Sequence, residues 1–577
     1  MPSDPPTAAS PLAAAPDGLG LWREVAAFLG RADTHGLDTP PRRIDTHAAA
    51  VFLAGDRAYK IKRPVRFPYL DFSTPDRREA ACRREIAVDR PIAPRIYRRV
   101  VAITREPDGG LAIGGAGPAV EWAVEMNRFD ETATLDRVAD RGPLDPALVD
   151  DLAVTVAHLR AHTPERSAEP WIDDLAAYLD QNAEAFAARP DLFPPARAAA
   201  LDRRARARLA DLRDLLRARG RLGFVRLGHG DLHCGNVAVV DGRGQPFDAV
   251  EFDDAVATGD LLYDAGFLVM DLADRGDRPS ARRFLDRLLF EATRLEAAAR
   301  LGRRPHADAA TIADTVAETL LEQIDGLAAL DLFLSMRAAL RAKIAAARAP
   351  HLGDAERRDA EAEAARLFLA AADHLSAATP RLVAIGGLSG AGKSRAAIAV
   401  APLLEPSPGA LVLRSDEIRK LVVGVPFTTR LAADHYAAPV TARVYDLLDR
   451  AADRALAAGR SVIVDAVSAH PAERIRFAAV AARTEVPFTG LWLDVAEAVA
   501  VDRVTTRHGD ASDADAAVVA LQRAFDPGPI EWRRIDANGP PGTTDAAVRA
   551  ALGIDRPPMP AVRDRTHEVS TFSKLRE

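Results

Sequence analysis

The chain has 577 residues, 48% of them apolar and 28% charged, with a net charge of −7 from 76 basic and 83 acidic side chains. That composition supports several packed cores and excludes global disorder, and at ~100–200 residues per domain the length suggests two to four domains. It supplies no overall positive field to recruit nucleic acid; Cys82 and Cys234 are too few for a disulfide framework or a zinc site; and no apolar run reaches the ~18 residues of a membrane span.

The opening stretch MPSDPPTAASPLAAAPDG has no basic segment followed by an apolar core. It reads as a disordered Pro/Ala tail over residues 1–20, not a signal peptide, and with the sparse thiols it suggests a cytoplasmic protein. Residues from about 40 to 130 follow the β pattern. AAVFLAGDRAYKIK holds two β-prone runs about Gly55-Asp56, a hairpin signal, and PRIYRRVVAIT, the turn EPDGG and AVEWAVEMNRF continue it. Between them STPDRREAACRREIAVDR predicts a helix, with Ser73 or Thr74 as cap and Pro75 in the first turn. The pattern is helical from Asp145 to about Gly220, and again from Asp260 to about Leu375. Between these lies RLGFVRLGHGDLHCGNVAVVDGRGQPFDAVEFDD, read as strand, loop, strand, turn, strand. A small strand-rich lobe thus precedes a larger helical lobe over about 131–377, and the polar loop faces the cleft between them.

Pro380 breaks the helical pattern, and a new unit spans 378–556. RLVAIGG is a buried-type strand before a Gly-rich turn and a helix; ALVLRSDEIRK, SVIVDAV and FTGLWLDV are further apolar strands between helical stretches. Such alternation implies a parallel α/β sheet. Residues 557–577 read as a flexible, charge-rich tail. Nothing in the pattern specifies an oligomeric state.

Only six of the basic residues are lysines: Lys60, Lys62, Lys343, Lys393, Lys420 and Lys574. Either codon bias scattered them, or some sit where a compact ammonium is needed. Lys393 belongs to GLSGAGKS, Gly387 to Ser394, which fits G-x-x-x-x-G-K-[ST] between a strand and a helix. Gly387, Gly390 and Gly392 let backbone amides close around phosphates, Lys393 reaches the β/γ-phosphates, and Ser394 holds Mg2+. Asp416 and Arg419 follow the next strand, at the edge where ligands of open parallel sheets sit. Asp416 is a candidate base for an attacking hydroxyl and Arg419 a candidate substrate contact; a helix N-cap at Ser415 or Asp416 with a solvated Arg is the competing reading. Asp465 ends another strand within reach of the Mg2+ shell, and Arg503 and Arg507, four apart, could close over ATP or simply form a basic helix face. Residues 381–550 resemble the P-loop kinases that include polynucleotide kinase and gluconate-kinase-like enzymes. The resemblance implies transfer of the ATP γ-phosphoryl group to a hydroxyl.

The loop HGDLHCGN places His229, Asp231 and Asn236 in the spacing of the kinase catalytic loop. There Asp231 orients and deprotonates an acceptor hydroxyl, and Asn236 reaches a Mg2+ on the ATP phosphates. Glu251, with Asp253 as neighbour, supplies the second metal acid. His229 braces the loop, while His233 packs in it or touches substrate. This stretch resembles the aminoglycoside phosphotransferase family over about residues 45–350. By that resemblance Lys62 in RAYKIKRP is the ATP-binding cation, with Lys60 in reserve on the same strand face. Glu85 is its carboxylate partner or a solvated helix residue, and VEMNRF, Val124 to Phe129, is the adenine hinge. The sequence departs from the family twice: DTHAAA, Asp45 to Ala50, stands where a Gly-rich loop would, and Glu251 stands for an Asp.

The whole resembles bacterial fusions of an aminoglycoside phosphotransferase-like domain with a P-loop kinase or AAA-type ATP-binding domain. The expectation is an α+β two-lobed protein-kinase-like domain over 21–377, followed by an α/β P-loop NTPase domain with a parallel sheet. Its activity is expected to be ATP- and Mg2+-dependent phosphotransfer to alcohol groups of small molecules, with no membrane partner. Two alternatives stand: an ATP-binding regulator with a degenerate kinase-like domain, or a C-terminal nucleic-acid end kinase whose channel Arg414, Arg419, Arg430 and Arg443 would line.

Overall fold

The computed structural model describes residues 16–554 apart from 47, 68–69, 303–306, 507–511 and 525. The small lobe opens with α1 (Pro16–Leu29) and then β1 (Arg42–Asp45), β2 (Ala49–Ala54), β3 (Arg57–Lys62), the short pair β4 (Arg66–Phe67) and β5 (Leu70–Asp71), α2 (Pro75–Asp89), β6 (Tyr97–Arg105), β7 (Leu111–Ile113) and β8 (Ala119–Asn127). Six of these strands form one antiparallel sheet in the order β1-β2-β3-β8-β6-β7. Gly55-Asp56 is the two-residue turn of the β2–β3 hairpin, and Gly55 takes φ +61°, which suits a residue without Cβ.

The expected tail was drawn too long, because α1 already begins at Pro16. Trp22, Val25, Ala26 and Leu29 recur at helical spacing and bury against Phe52, Ile61 and Ile103 on one face of the sheet. The Trp22 indole also donates to the Lys62 carbonyl at 2.8 Å. The other sheet face receives α2, whose N-cap Thr74 accepts from the Arg77 amide, with Pro75 at the first position. Strand alternation then sends Ile61 toward α1, and Lys60 and Lys62 toward α2 and the cleft.

The large lobe is helical: α3 (Leu135–Arg141), α4 (Pro146–His162), α5 (Ala168–Ala187), α6 (Pro195–Arg221), α7 (Asp254–Ala257), α8 (Leu261–Asp274), α9 (Arg278–Gly302), α10 (Ala309–Asp325), α11 (Leu330–Arg348) and α12 (Asp354–His374). Two small β pairs carry its polar loop: β9 (Val225–Leu227) with β12 (Thr258–Asp260), and the hairpin β10 (Val237–Val240) with β11 (Arg243–Pro246).

The third unit alternates β13 (Leu382–Gly386), α13 (Lys393–Val400), β14 (Leu411–Arg414), α14 (Ser415–Val423), α15 (Ala438–Ala457), β15 (Val462–Asp465), α16 (Pro471–Arg483), β16 (Phe488–Asp494), α17 (Glu497–Thr506), α18 (Ala516–Arg523), β17 (Arg533–Asp536) and α19 (Pro541–Ala551). Its sheet is parallel throughout, ordered β14-β15-β13-β16-β17. The edge strand β17, with the sequence RRID and three exposed side chains, carries no apolar run to announce it.

The large lobe and the P-loop unit are packed, not strung on a linker. One apolar core runs from Phe284 and Leu288 of α9 and Leu320 of α10 to Leu421 and Phe427 and on to Leu448 of α15. Ion pairs Arg278–Glu405 (2.9 Å) and Arg454–Asp325 (2.8 Å) flank it, and Arg460 pairs with Asp331.

Candidate active sites

In the N-terminal cleft, Lys60 and Lys62 stand two apart on β3 and share the buried Glu85 of α2. Lys60 Nζ lies 2.9 Å from Glu85 Oε1 and Lys62 Nζ 2.6 Å from Oε2. Each lysine has a second carboxylate from the segment after β11: Lys60 meets Asp248 at 2.8 Å, and Lys62 meets Glu251. Burial opposes the Lys62 charge, but Glu251 and Glu85 outweigh it and the ammonium holds its proton more tightly than free lysine. Burial likewise pushes Glu85 up, and Lys60 and Lys62 together bring it below the ordinary carboxylate range.

The polar loop is braced from beneath by α8. The buried Asp264 carboxylate accepts the amides of His229 (2.8 Å) and Gly230 (2.9 Å), and Asp271 accepts that of Cys234 (2.9 Å). His229 is buried with Nε2 3.1 Å from the Phe247 carbonyl, and burial lowers its pKa, which suits a brace. His233 folds into its own loop, its Nδ1 accepting from the Gly235 amide at 3.1 Å. Asp231 remains about one-third exposed. Asn236 Nδ2 donates to Asp231 Oδ2 at 3.0 Å and to the Asp231 carbonyl at 3.0 Å, so its amide oxygen faces away from Asp231.

One sequence expectation changes here, and one acid joins the cluster unannounced. Asp253 is not a partner for Glu251: it caps α7, accepting from the Ala255 amide at 2.9 Å. The second acid of the cluster is Asp248, which no motif marked. It sits at φ +61°, its amide donating to the Tyr97 hydroxyl at 3.1 Å, and the next amide, Ala249, donates to Asp89 at 3.0 Å. The segment bearing Glu251 is therefore tied to the small lobe by Tyr97, Asp89 and Lys60. DTHAAA is the β1–β2 turn, closed by Thr46 on Ala49, with His47 outside the described residues. Of the segment Val124 to Phe129, Val124 to Asn127 end β8 and the last two residues follow it.

In the P-loop unit, Gly387, Gly390 and Gly392 take φ of +138°, +80° and +89°. A Cβ on Gly390 would come within 2.6 Å of the Ala500 carbonyl, so the turn has no room for one. Lys393 Nζ donates to the Leu388 carbonyl at 3.2 Å across the turn. Ser394 Oγ donates to Asp465 Oδ2 at 2.5 Å, so the first turn of α13 and the end of β15 present adjacent oxygens. Asp416 does not cap α14, whose N-cap Arg414 makes no side-chain cap bond. Asp416 lines a cavity of about 900 Å3 together with the P-loop, Arg419, Asp465 and Arg503. Burial pushes the Asp416 carboxyl up, against a hydrogen bond with Ser512, and the neighbouring Asp465 adds to the rise.

Arg419 Nη1 donates to the His435 carbonyl (2.9 Å) and to Thr441 Oγ1 (3.2 Å), and its guanidinium lies 4.7 Å from the Tyr436 ring centre. Arg503 spans from the Gly390 carbonyl (3.4 Å) to the Gly539 carbonyl (3.0 Å), bracing the phosphate turn. The described part of α17 ends at Thr506, and Arg507 lies outside the described residues. Arg414 pairs with Glu417 (2.7 Å) and Asp465 (3.4 Å), and Arg430 with Asp515 (2.7 Å), so these two arginines are locally neutralised. Sequence reasoning also missed Gln522 and Asp513. Gln522 accepts the Ser389 amide at 2.8 Å; Asp513 gathers Lys420 (3.1 Å), the Leu431 amide (3.0 Å) and the Tyr436 hydroxyl (2.8 Å).

Fold and sites together define a two-lobed kinase-like domain joined to a P-loop kinase-like domain. Residues 69–301 match the model of the phosphotransferase enzyme family, and residues 382–527 match that of an AAA domain. Proteins of Mycobacterium tuberculosis and Mycobacterium bovis, each called an uncharacterized protein, are 30% identical over 526 residues, which covers 89% of this chain and 95% of theirs. The chain belongs to their family, the bacterial fusions of an aminoglycoside phosphotransferase-like domain with a P-loop domain. Among solved structures, it is similar to a choline/ethanolamine kinase family protein from Mesorhizobium loti (16% identity, 62% of this chain and 99% of that one, TM-score 0.30). It is also similar to a gluconokinase from Sinorhizobium meliloti (21% identity, 30% of this chain and 93% of that one, TM-score 0.22). Among the described residues no helix is long and apolar enough to cross a membrane.

Proposed function

We propose that the chain is a bifunctional ATP-dependent kinase whose two sites each transfer a γ-phosphoryl group to an alcohol on a small molecule. The observation that carries the reading is the cavity in which the P-loop, the Ser394–Asp465 oxygen pair and Asp416 face one space. In this reading the P-loop amides and Lys393 hold the triphosphate, Asp416 takes the proton of the acceptor hydroxyl, and Arg503 keeps the turn in shape. Arg419 lines the cavity beside Thr441 and Tyr436, and in this reading it shapes the wall against which the acceptor rests. Ser394 and Asp465 fit Mg2+, a hard cation that takes oxygen ligands, and when bound the ion would offset phosphate charge. In the N-terminal cleft Asp231 would be the base, Lys62 with Glu85 the phosphate-binding pair, and Asn236 with Glu251 the oxygen donors for Mg2+.

The test is transfer from γ-labelled ATP into a soluble metabolite extract by wild type, Lys393→Ala and Asp231→Ala. Each substitution is expected to remove a different labelled product; if neither removes one, the proposal fails.

A second reading has its own support. Glu251 is engaged by Lys62, so the acid assigned to metal already neutralises the lysine assigned to phosphate. This favours an N-terminal domain that binds nucleotide and regulates without transferring. Unaltered product patterns in Asp231→Ala, with ATP binding retained, would select it.

A further inference from the structure

The acceptor-facing wall of the P-loop cavity is the segment from Gly424 to Tyr436, which contributes Arg430, Leu431, Ala433 and Tyr436 to the lining. It has little secondary structure of its own, only the turn Ala433–Tyr436. Something else must hold it, because a loop left to itself would lose the geometry on which acceptor placement depends.

Two sets of contacts do so. On the inner side Asp513 takes the Leu431 amide and the Tyr436 hydroxyl, and Lys420 ties Asp513 (3.1 Å) to the Phe427 carbonyl (2.9 Å). On the outer side the support comes from the other domain. The buried Phe427 ring lies 4.4 Å from the Arg287 guanidinium carbon and meets Phe290 edge-on with centroids 6.0 Å apart, both residues on α9 of the kinase-like lobe. Gly424 at φ +80° ends α14 beside Ile312 of α10. An aromatic ring inserted among an aromatic edge, a cation and a continuous apolar core is a fixed anchor, not a surface contact.

We propose that Phe427 is a positioning residue through which helix α9 of the kinase-like lobe sets the acceptor-facing wall of the P-loop site. The P-loop unit then depends on its neighbour for acceptor placement but not for binding ATP, since the phosphate turn is formed and held by that unit's own β13, α13, Arg503 and Gln522. The inference rests on the P-loop transfer reading above for its catalytic consequence, and on packing alone for its structural one.

The test uses the full chain carrying Asp231→Asn, so that transfer reports the P-loop site, with γ-labelled ATP and a soluble metabolite extract as the acceptor mixture. Arg287→Ala and Phe427→Ala are expected to speed amide exchange across residues 425–436 at least tenfold and to lower transfer about tenfold. KM for ATP should stay within twofold, and Arg287→Lys, which keeps a cation over the ring, should restore most of the loss. Unchanged exchange in 425–436 overturns the proposal, as does faster exchange with transfer unaffected. If Phe427→Ala fails to fold, Arg287→Ala carries the same decision, since Arg287 is only half-buried. Should the Asp231→Asn parent show no transfer at all, the functional reading fails, and the exchange measurement still decides whether α9 holds the segment.

Discussion

Replacing Asp264 tests whether α8 holds the polar loop 229–236 in shape. Its carboxylate accepts two buried backbone amides, His229 and Gly230, at 2.8 and 2.9 Å, and these are the amides that aim Asp231. Asp264→Ala leaves both donors buried without an acceptor, at about 1–3 kcal/mol each, so the expected loss is about 2–6 kcal/mol. Asp264→Asn keeps one carbonyl oxygen and strands one donor, so the loss falls to about 1–3 kcal/mol. A Cβ placed on Gly228 would stand 2.4 Å from Asp264 Oδ2 and 2.7 Å from Arg160 Nη1, so Gly228→Ala should damage the same corner by collision. The assay is equilibrium urea unfolding followed by tryptophan fluorescence. Trp171 is buried 5.8 Å from the ring of Tyr263, the residue next to Asp264, and reports this region. The expected order is wild type, then Asn, then Ala. If both variants unfolded within about 0.5 kcal/mol of wild type, the size of an ordinary surface change, the bracing argument would be wrong.

Further expectations follow from the sites and the domain contact. Ser394→Ala should leave nucleotide binding in the absence of Mg2+ near wild type and weaken the gain that Mg2+ brings, measured by nucleotide titration with and without the ion in an Asp231→Asn, Lys62→Met background; equal gains would remove Ser394 from the metal site. Because burial raises Asp416, and a base must be deprotonated, the acid limb of P-loop-dependent transfer should lie above the ordinary carboxylate range; a limb at or below that range would exclude Asp416 as the base. Asp248→Asn removes the charge that Lys60 meets at 2.8 Å and should cost about 1–3 kcal/mol, read by urea unfolding, with no cost counting against the Asp248 tie. Burial pushes Asp286, at the domain contact, to about 7 despite Arg282. A carboxyl raised in the native state adds stability that is full below its unfolded value and gone once pH passes about 7. Asp286→Asn should flatten that decline between about pH 4 and 7, and an identical pH profile in both proteins would refute the assignment.

What could be read from the sequence was whatever a short motif or a local period carries. GLSGAGKS, with its flanking strand and helix, is contiguous, so its chemistry is written in one place. HGDLHCGN is as compact, and β3, α2 and the three apolar parallel strands follow from alternation and capping. Asp248 was not legible because its role depends on Lys60, 188 positions away, and on a left-handed backbone that its own neighbours do not announce. Asp253 misled for the converse reason: an acid next to an acid looks like a metal pair, and the local helix start claimed it. Helix α1 hid behind a Pro/Ala-rich lead-in, β17 behind its arginines, and the Phe427 anchor behind a domain boundary that sequence places but cannot fold across.

The near-absence of lysine has a practical side. Of the six primary-amine side chains, Lys60 and Lys62 meet in one cleft, Lys393 spans the phosphate turn of the other, and Lys420 lies behind that second pocket. Amine acylation on this protein therefore has very few addresses. A nucleotide bearing an acylating group should label Lys60 or Lys62 from one pocket and Lys393 from the other, and peptide mapping would report the occupancy of each separately.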